Sequence, residues 1–185
     1  SYNLALGFTA LYTATGSYNV GLGAECLYSQ TSASENIAIG FRAGYLNTTG
    51  PNILAIGTYA LDANTTGARN IAIGNGALGA VQTTDDSMGI GYLAGAAQTS
   101  GFQNVFVGNL AGRYATSASN SVAVGMLALG ALTTGASNTA VGKDALRYVT
   151  TGYSNTGIGF EALKATYTGI ENTGVGDQAL IFNTT

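Results

Sequence analysis

The segment NTAVGKDALRYVTTGYS at 138–154 is followed directly by NTGIGFEALKATYTGIE at 155–171, and the two segments share one pattern. The fifth residue of each segment is Gly. On both sides of this pair the same Gly recurs along the whole chain, at 7, 23, 40, 57, 74, 91, 108, 125, 142, 159 and 176. We call it the anchor Gly. Its first spacing is 16 residues and every later spacing is 17. Such a regular array of short repeats is typical of a solenoid.

The residues that lead up to each anchor Gly predict a short β-strand. In NIAIG at 70–74 and in its equivalents, large aliphatic side chains alternate with small ones, so the strand has one large face and one small face. A repeat of 17 residues is too short for a strand and a crossover helix. We therefore predict an all-β parallel β-roll, a β-solenoid of about eleven 17-residue coils. Equivalent residues should stack ~4.8 Å apart, in a rod on the order of 50 Å long.

Two turns in each coil are predicted from Gly and from hydroxyl residues. The anchor Gly marks one turn, and a Thr-Gly pair such as Thr66-Gly67 marks the other. Gly adopts positive φ angles freely, and a hydroxyl can hold the backbone of a turn. Asn stands four residues before the anchor Gly in most repeats. We expect these Asn residues to form a stacked ladder that is hydrogen-bonded from coil to coil.

The composition excludes several classes of function. The 185 residues include no His and one Cys, which excludes His-dependent nucleophilic mechanisms, most zinc sites and an intramolecular disulfide. A net charge of −3 argues against nucleic acid and anionic membranes as partners. The sequence has no run of about eighteen apolar residues, so we predict no membrane insertion. Cys26 occupies the Ala position that follows the anchor Gly, and we expect it to be a buried, unreactive thiol.

Two features resemble cofactor-binding or catalytic motifs. The stretch GNGALG at 74–79 matches a dinucleotide fingerprint, but its residues belong to the repeat and no helix is predicted after it. Asp144 and Glu161 occupy equivalent positions in successive coils, near the separation of the carboxylate pair in a retaining glycosidase. An exposed column in which the like charges splay apart beside Lys143, Arg147 and Lys164 explains them better, since no groove is implied. We predict no cofactor, no bound metal and no catalytic residue.

Charged residues are expected to pair between coils. Arg69 should stack on Asp86, and Arg42 on Glu25, because each pair is separated by one repeat. Asp85 and Asp86 could instead bind calcium, but two adjacent carboxylates without further oxygen ligands are weak support for that.

Aromatic residues in the variable loop are the best candidates for receptor contact. Tyr18, Phe102 and Tyr153 lie between the Thr-Gly turn and the strand, where exposed rings can stack on sugars or anchor a protein partner. They could instead cover a neighbouring coil or chain. The tyrosines at 45, 92, 114, 148 and 167 show no regular column in the sequence and are assigned no role.

The two ends of the sequence predict that it belongs to a longer fibre. Ser1 stands just after the expected position of a Thr-Gly turn, and Thr184-Thr185 stand just before the next Gly. Neither end carries a cap, and an open solenoid needs one. We therefore expect residues 1–185 to be a single β-solenoid domain within a longer chain.

Four stretches carry a resemblance to a known family: NIAIGNGAL (70–78), NTAVGKDAL (138–146), NTGIGFEAL (155–163) and NTGVGDQAL (172–180). They resemble the head repeats of the YadA-like family, which occur in trimeric autotransporter adhesins and in phage tail fibres. The resemblance covers the whole chain. It implies a left-handed β-roll, three chains packed as a homotrimer, and attachment to a host or a surface outside the cell, on a virion tail fibre or a bacterial surface.

The leading hypothesis is a non-enzymatic structural and adhesive segment of a trimeric surface fibre. A host-surface glycan or protein would be the receptor. Three alternatives stay open at this point: a passive fibre shaft that only sets reach, a monomeric ice-binding solenoid that presents its Thr residues, and a polysaccharide-degrading tail spike.

Overall fold

The computed structural model describes residues 2–184, so the expectations that concern Ser1 and Thr185 lie outside the described residues. The fold is all-β, with eleven strands of three residues each. They are β1 (Leu4–Leu6), β2 (Val20–Leu22), β3 (Ile37–Ile39), β4 (Leu54–Ile56), β5 (Ile71–Ile73), β6 (Met88–Ile90), β7 (Val105–Val107), β8 (Val122–Val124), β9 (Thr139–Val141), β10 (Thr156–Ile158) and β11 (Thr173–Val175).

The eleven strands form one parallel sheet in chain order. Each strand pairs with the next through equivalent residues, as Ile71 does with Met88 and Ile73 with Ile90. One repeat therefore makes one turn of a β-solenoid of about ten turns, which confirms the coil and the parallel stacking predicted from the sequence.

The interior of the coil is narrow and is filled by small residues and Leu. The middle residue of β2 to β11 points inward and is buried, while the two residues beside it point outward. The Ala three residues after the anchor Gly and the Leu that follows it complete the core, as Ala77 and Leu78 do. Such close packing leaves no room for a larger side chain without a compensating change nearby.

Phe106 is the one large middle residue among these strands, and two glycines accommodate it. Gly95 and Gly112 replace the core Leu in the coil before Phe106 and in its own coil. A Cβ at Gly95 would lie 2.6 Å from the Phe106 ring, and a Cβ at Gly112 would also clash with that ring. The large Phe and the two small Gly residues thus compensate each other, and the total volume of the core is conserved.

Asn side chains at the strand entries join successive coils by two kinds of hydrogen bond. Asn138 is buried, and its Nδ2 donates to the Gly152 carbonyl of the next coil at 2.8 Å. Its Oδ1 accepts from the Asn155 backbone N–H at 3.0 Å. Asn19, Asn36, Asn70, Asn104 and Asn155 repeat both bonds. The predicted ladder is confirmed.

A second column of buried amides was not predicted from the sequence. It lies seven residues after the anchor Gly and contains Gln30, Asn47, Asn64 and Gln98. Asn47 Nδ2 donates to the Gly50 carbonyl at 3.0 Å, and Gln98 Nε2 donates to the Gly101 carbonyl at 2.7 Å. No constant residue type marks this position, which in the other coils holds Ala14, Val81, Ala115, Leu132, Val149, Thr166 and Asn183.

The predicted reason for glycine at the two turns is right for one turn and wrong for the other. Anchor glycines have φ between 125° and 140°, as predicted. The Gly of the Thr-Gly pair does not have a positive φ, and a Cβ on Gly50 would instead clash with the Gly67 carbonyl of the next coil. Close approach of two backbones, rather than left-handed geometry, favours Gly there.

Left-handed backbone also occurs at three further positions of the coil, which hold residues other than Gly in most coils. Ser137, Asp144 and Leu146 represent these positions, with φ of 58°, 58° and 49°. Such conformations cost free energy for residues other than Gly, so the stacking of the coils must impose them.

The hydroxyls that stabilise the second turn belong to the residue before the one we predicted. Thr48 Oγ1 donates to the Thr65 carbonyl at 2.9 Å, and Thr133 Oγ1 donates to the Thr150 carbonyl at 2.9 Å. The Thr that follows each of them, such as Thr49, is exposed at the bend.

The first coil is one residue shorter than the others, and the difference is confined to this bend. The N–H groups of Thr15 and Gly16 both donate to the Thr31 carbonyl, whereas in a later coil Thr48 and Thr49 donate to the Thr65 carbonyl. The missing residue is therefore the second, exposed residue of the Thr pair. The strand register is unaffected, since Leu4 still pairs with Val20.

We expect Gly91→Ala to destabilise the roll by about 2–5 kcal/mol, because it adds backbone strain and a steric clash. Gly91 has a φ of +130°, and its Cβ would lie 2.5 Å from the Gly108 carbonyl oxygen. Thermal unfolding followed by circular dichroism measures the effect. Gly79→Ala is the matched control, because its Cβ would come no closer than 3.3 Å to another atom and Ala96 occupies the equivalent position one coil later. Equal melting temperatures for the two variants would contradict this account.

Candidate functional site

The three predicted receptor contacts are exposed, but they are far apart. Tyr18, Phe102 and Tyr153 are 59%, 47% and 47% exposed. Tyr18 stacks on Tyr2, with ring centroids 5.3 Å apart. Five coils separate Tyr18 from Phe102 and three separate Phe102 from Tyr153, which corresponds to roughly 24 Å and 14 Å along the roll. They do not form one site.

A tyrosine ladder lies elsewhere, in the first three coils. Tyr12, Tyr28 and Tyr45 each stand five residues after an anchor Gly, and their rings stack with centroids 5.4 Å and 5.3 Å apart. The interpretation that Tyr45 belongs to no column was wrong. The sequence does carry a signal for this column, since Tyr recurs five residues after the anchor Gly. The signal is short: it spans three repeats, and Asp62 holds the position in the fourth.

A trough runs beside this ladder and has a volume of about 420 Å³. We call it the tyrosine trough; it is lined by Phe8, Thr9, Tyr12, Glu25, Tyr28, Arg42 and Tyr45. The predicted Arg42–Glu25 pair, which also lines the trough, is confirmed, with 2.8 Å between Arg42 Nε and Glu25 Oε2. The Arg42 guanidinium also lies 4.8 Å from the centroid of the Tyr45 ring and 5.3 Å from that of Phe41. Arg42 is thus fixed by one ion pair and two cation–π contacts.

The carboxylates of Asp144 and Glu161 are both engaged by cations. Asp144 is buried and accepts from Arg147 Nη1 at 2.9 Å, while Glu161 lies 2.5 Å from Lys164 Nζ. The hydrogen bond from Lys164 lowers the pKa of Glu161, against a smaller opposing effect of desolvation. A carboxyl with a lowered pKa is ionised at neutral pH and is poorly suited to donate a proton. The geometry therefore favours charge pairing over a general acid, but the expectation that both carboxylates are exposed was wrong for Asp144.

The acidic pair Asp85-Asp86 is bridged by one arginine. Arg69 Nε lies 2.6 Å from Asp86 Oδ1, and Arg69 Nη2 lies 3.0 Å from Asp85 Oδ2. Asp85 Oδ1 also accepts from the Ala68 backbone N–H at 2.8 Å. The predicted Arg69–Asp86 pair is confirmed, and a guanidinium occupies the place where a cation would bind. Within residues 2–184 no cluster of three or more His, Cys, Asp or Glu side chains could hold a metal ion.

Cys26 is fully buried, as expected. Burial raises the pKa of its thiol to about 11, although a backbone hydrogen bond offsets part of that rise. A thiol with this pKa carries very little thiolate at neutral pH, which is the reactive form.

The GNGALG stretch at 74–79 forms a turn after β5 and is not followed by a helix, so it lacks the context of a dinucleotide site. The part of the chain that the structure describes contains no helix long and apolar enough to cross a membrane.

Comparison of the chain with family models, with curated proteins and with solved structures found no match.

At pH 8 we expect Ellman's reagent to label Cys26 about 100-fold more slowly in the folded protein than in denaturant, because the raised pKa suppresses the thiolate. Absorbance at the released chromophore follows the reaction. Labelling of the native protein at the denatured rate would contradict a buried thiol.

Proposed function

We propose that the chain is a non-enzymatic structural and adhesive segment of a homotrimeric surface fibre, a left-handed roll that mediates attachment to a host or a surface outside the cell. Trimerisation, handedness and location follow from the resemblance of the repeats to YadA-like heads. The observation that supports self-association is the apolar character of the outward face of the sheet.

That face is a continuous apolar strip. The first and third residues of every strand point outward in two columns, and all are aliphatic or Met except Thr139, Thr156 and Thr173. Ile37, Ile39 and Ile158 are 41%, 36% and 39% exposed. An apolar strip about 50 Å long is unusual on a monomer and is typical of an interface. Packing identical rolls about an axis would bury it in every chain at once.

Several observations support a role without catalysis. The paired carboxylates are satisfied by cations, the thiol is buried, and the chain has no His. The solenoid offers length and a regular outer surface, which are the properties that an attachment fibre needs.

Light scattering after size exclusion should give a mass of about 56 kDa, three times the chain mass of 18.6 kDa. Ile73→Glu should reduce the mass to that of one chain, because it places a carboxylate in the apolar strip. Asn75→Glu is the matched control: it adds the same charge at an exposed position just past the strand and should leave the mass unchanged.

Either of two results would overturn the oligomer. One is a single-chain mass for the unsubstituted protein. The other is an Ile73→Glu variant that keeps its mass and its circular dichroism spectrum.

We expect the protein to adhere to host cells or to immobilised surface glycans. Replacing Tyr18, Phe102 and Tyr153 together by Ser should weaken adhesion, because each exposed ring can make a separate contact along the roll. Tyr92→Ser, at an equally exposed ring elsewhere on the roll, serves as the control. Adhesion that survives the triple substitution undiminished would exclude these three residues, and no adhesion of the unsubstituted trimer would indicate a passive shaft.

A further inference from the structure

The tyrosine ladder presents one wall of the trough as a row of polar edges. Adjacent rings are inclined by only 5° and 19°, so Tyr28 is covered by a ring on each side. Tyr12, at the end of the ladder, is 66% exposed. Phenolic hydroxyls both donate and accept hydrogen bonds. The ladder therefore offers hydroxyl groups at regular intervals along the roll rather than open ring faces.

A second column that lines the trough beside the ladder supplies charged and hydroxyl groups at the same intervals. Thr9, Glu25 and Arg42 occupy equivalent positions in the first three coils. The Arg42–Glu25 bond uses one of the five N–H donors of Arg42 and one carboxylate oxygen of Glu25. Their side chains are 39% and 24% exposed, so both retain hydrogen-bonding capacity towards the trough.

Charge and size restrict the ligand that fits in the trough. The charges of Glu25 and Arg42 cancel, which favours a neutral ligand with many hydroxyls over an ion. A volume of about 420 Å³ is sufficient for a small ligand, but the trough is open to solvent. Side chains recur every ~4.8 Å along the axis, comparable to the length of one sugar in an extended chain.

We propose that the tyrosine trough binds a neutral, extended oligosaccharide that lies along the axis of the roll, one sugar to each coil. This proposal rests on the proposed function, since it names the ligand class of an adhesive surface. It assigns the contact to Tyr12, Tyr28, Tyr45, Glu25 and Arg42.

A proline-rich peptide is the competing occupant, because aromatic grooves also bind polyproline helices. Such peptides insert prolines between aromatic rings. In this ladder the rings cover one another, and the free groups are hydroxyls and an ion pair, so a hydroxyl-rich ligand is favoured.

The test is saturation-transfer difference NMR on the full 185-residue chain with cellotetraose, tetra-N-acetylchitotetraose and β-1,4-mannotetraose as probes. All three are neutral β-1,4-linked tetrasaccharides. At least one should receive saturation from tyrosine protons. Tyr28→Ala should weaken its binding ~10-fold, because it removes the central hydroxyl of the ladder and the ring that holds Tyr12 and Tyr45 in place. Glu25→Gln should also weaken binding while leaving the ladder intact.

Two control variants and two control probes make the result specific. Tyr92→Ala and the triple Ser variant of Tyr18, Phe102 and Tyr153 should bind the tetrasaccharide normally. Tetragalacturonate and a proline-rich peptide should bind more weakly than the neutral sugar.

Absence of saturation transfer to all three tetrasaccharides, unchanged affinity in Tyr28→Ala, or preference for either control probe would overturn the proposal. A trimer that adheres to cells but fails these tests would overturn the trough assignment alone. Failure of trimerisation and adhesion would instead overturn the proposed function.

Discussion

In most coils, one buried Asn side chain holds the coil to the next one, because it both donates and accepts a hydrogen bond. Asn138 donates to the Gly152 carbonyl and accepts from the Asn155 N–H, and its burial removes water as a competitor. Breaking such a buried group out of its network leaves polar atoms unsatisfied, at a cost of about 1–3 kcal/mol for each. The bonds reinforce the backbone pairing that spaces the coils, and the close contacts of the anchor glycines depend on that spacing.

The sequence allowed the coil, the parallel register, the Asn ladder and the two charge pairs to be predicted, because each depends on residues that recur at a constant offset. Left-handed backbone at Leu146 and Ser137 could not be predicted, since neither residue type favours it and only stacking of the coils imposes it. The second amide column was hidden for a different reason. Positions that hold Asn47 in one coil and Leu132 in another have no residue type in common.

Some features of the candidate sites could likewise be predicted from the sequence, and others appear only when the coils stack. Exposure of Tyr18 and Phe102 followed from their place in the loop, but nothing in a single repeat indicates that two exposed rings lie far apart or close together. Tyr28 and Tyr45 become a surface only when successive coils are superposed, and only the spacing of 17 residues between them carries that information. The recurrence of Tyr at one offset from the anchor Gly is therefore the sequence signal of the tyrosine trough.

The missing residue of the first coil shows where the roll tolerates a change of length. The strand register is the same on both sides of the deletion, and the only residue lost is an exposed one at the bend. The bend is therefore the natural insertion point for a foreign peptide. Peptides inserted after Thr49, Thr66 or Thr134 would project in a line from one edge of the roll. Their separations would be multiples of the ~4.8 Å coil spacing. The roll would therefore display inserted peptides at fixed and known separations.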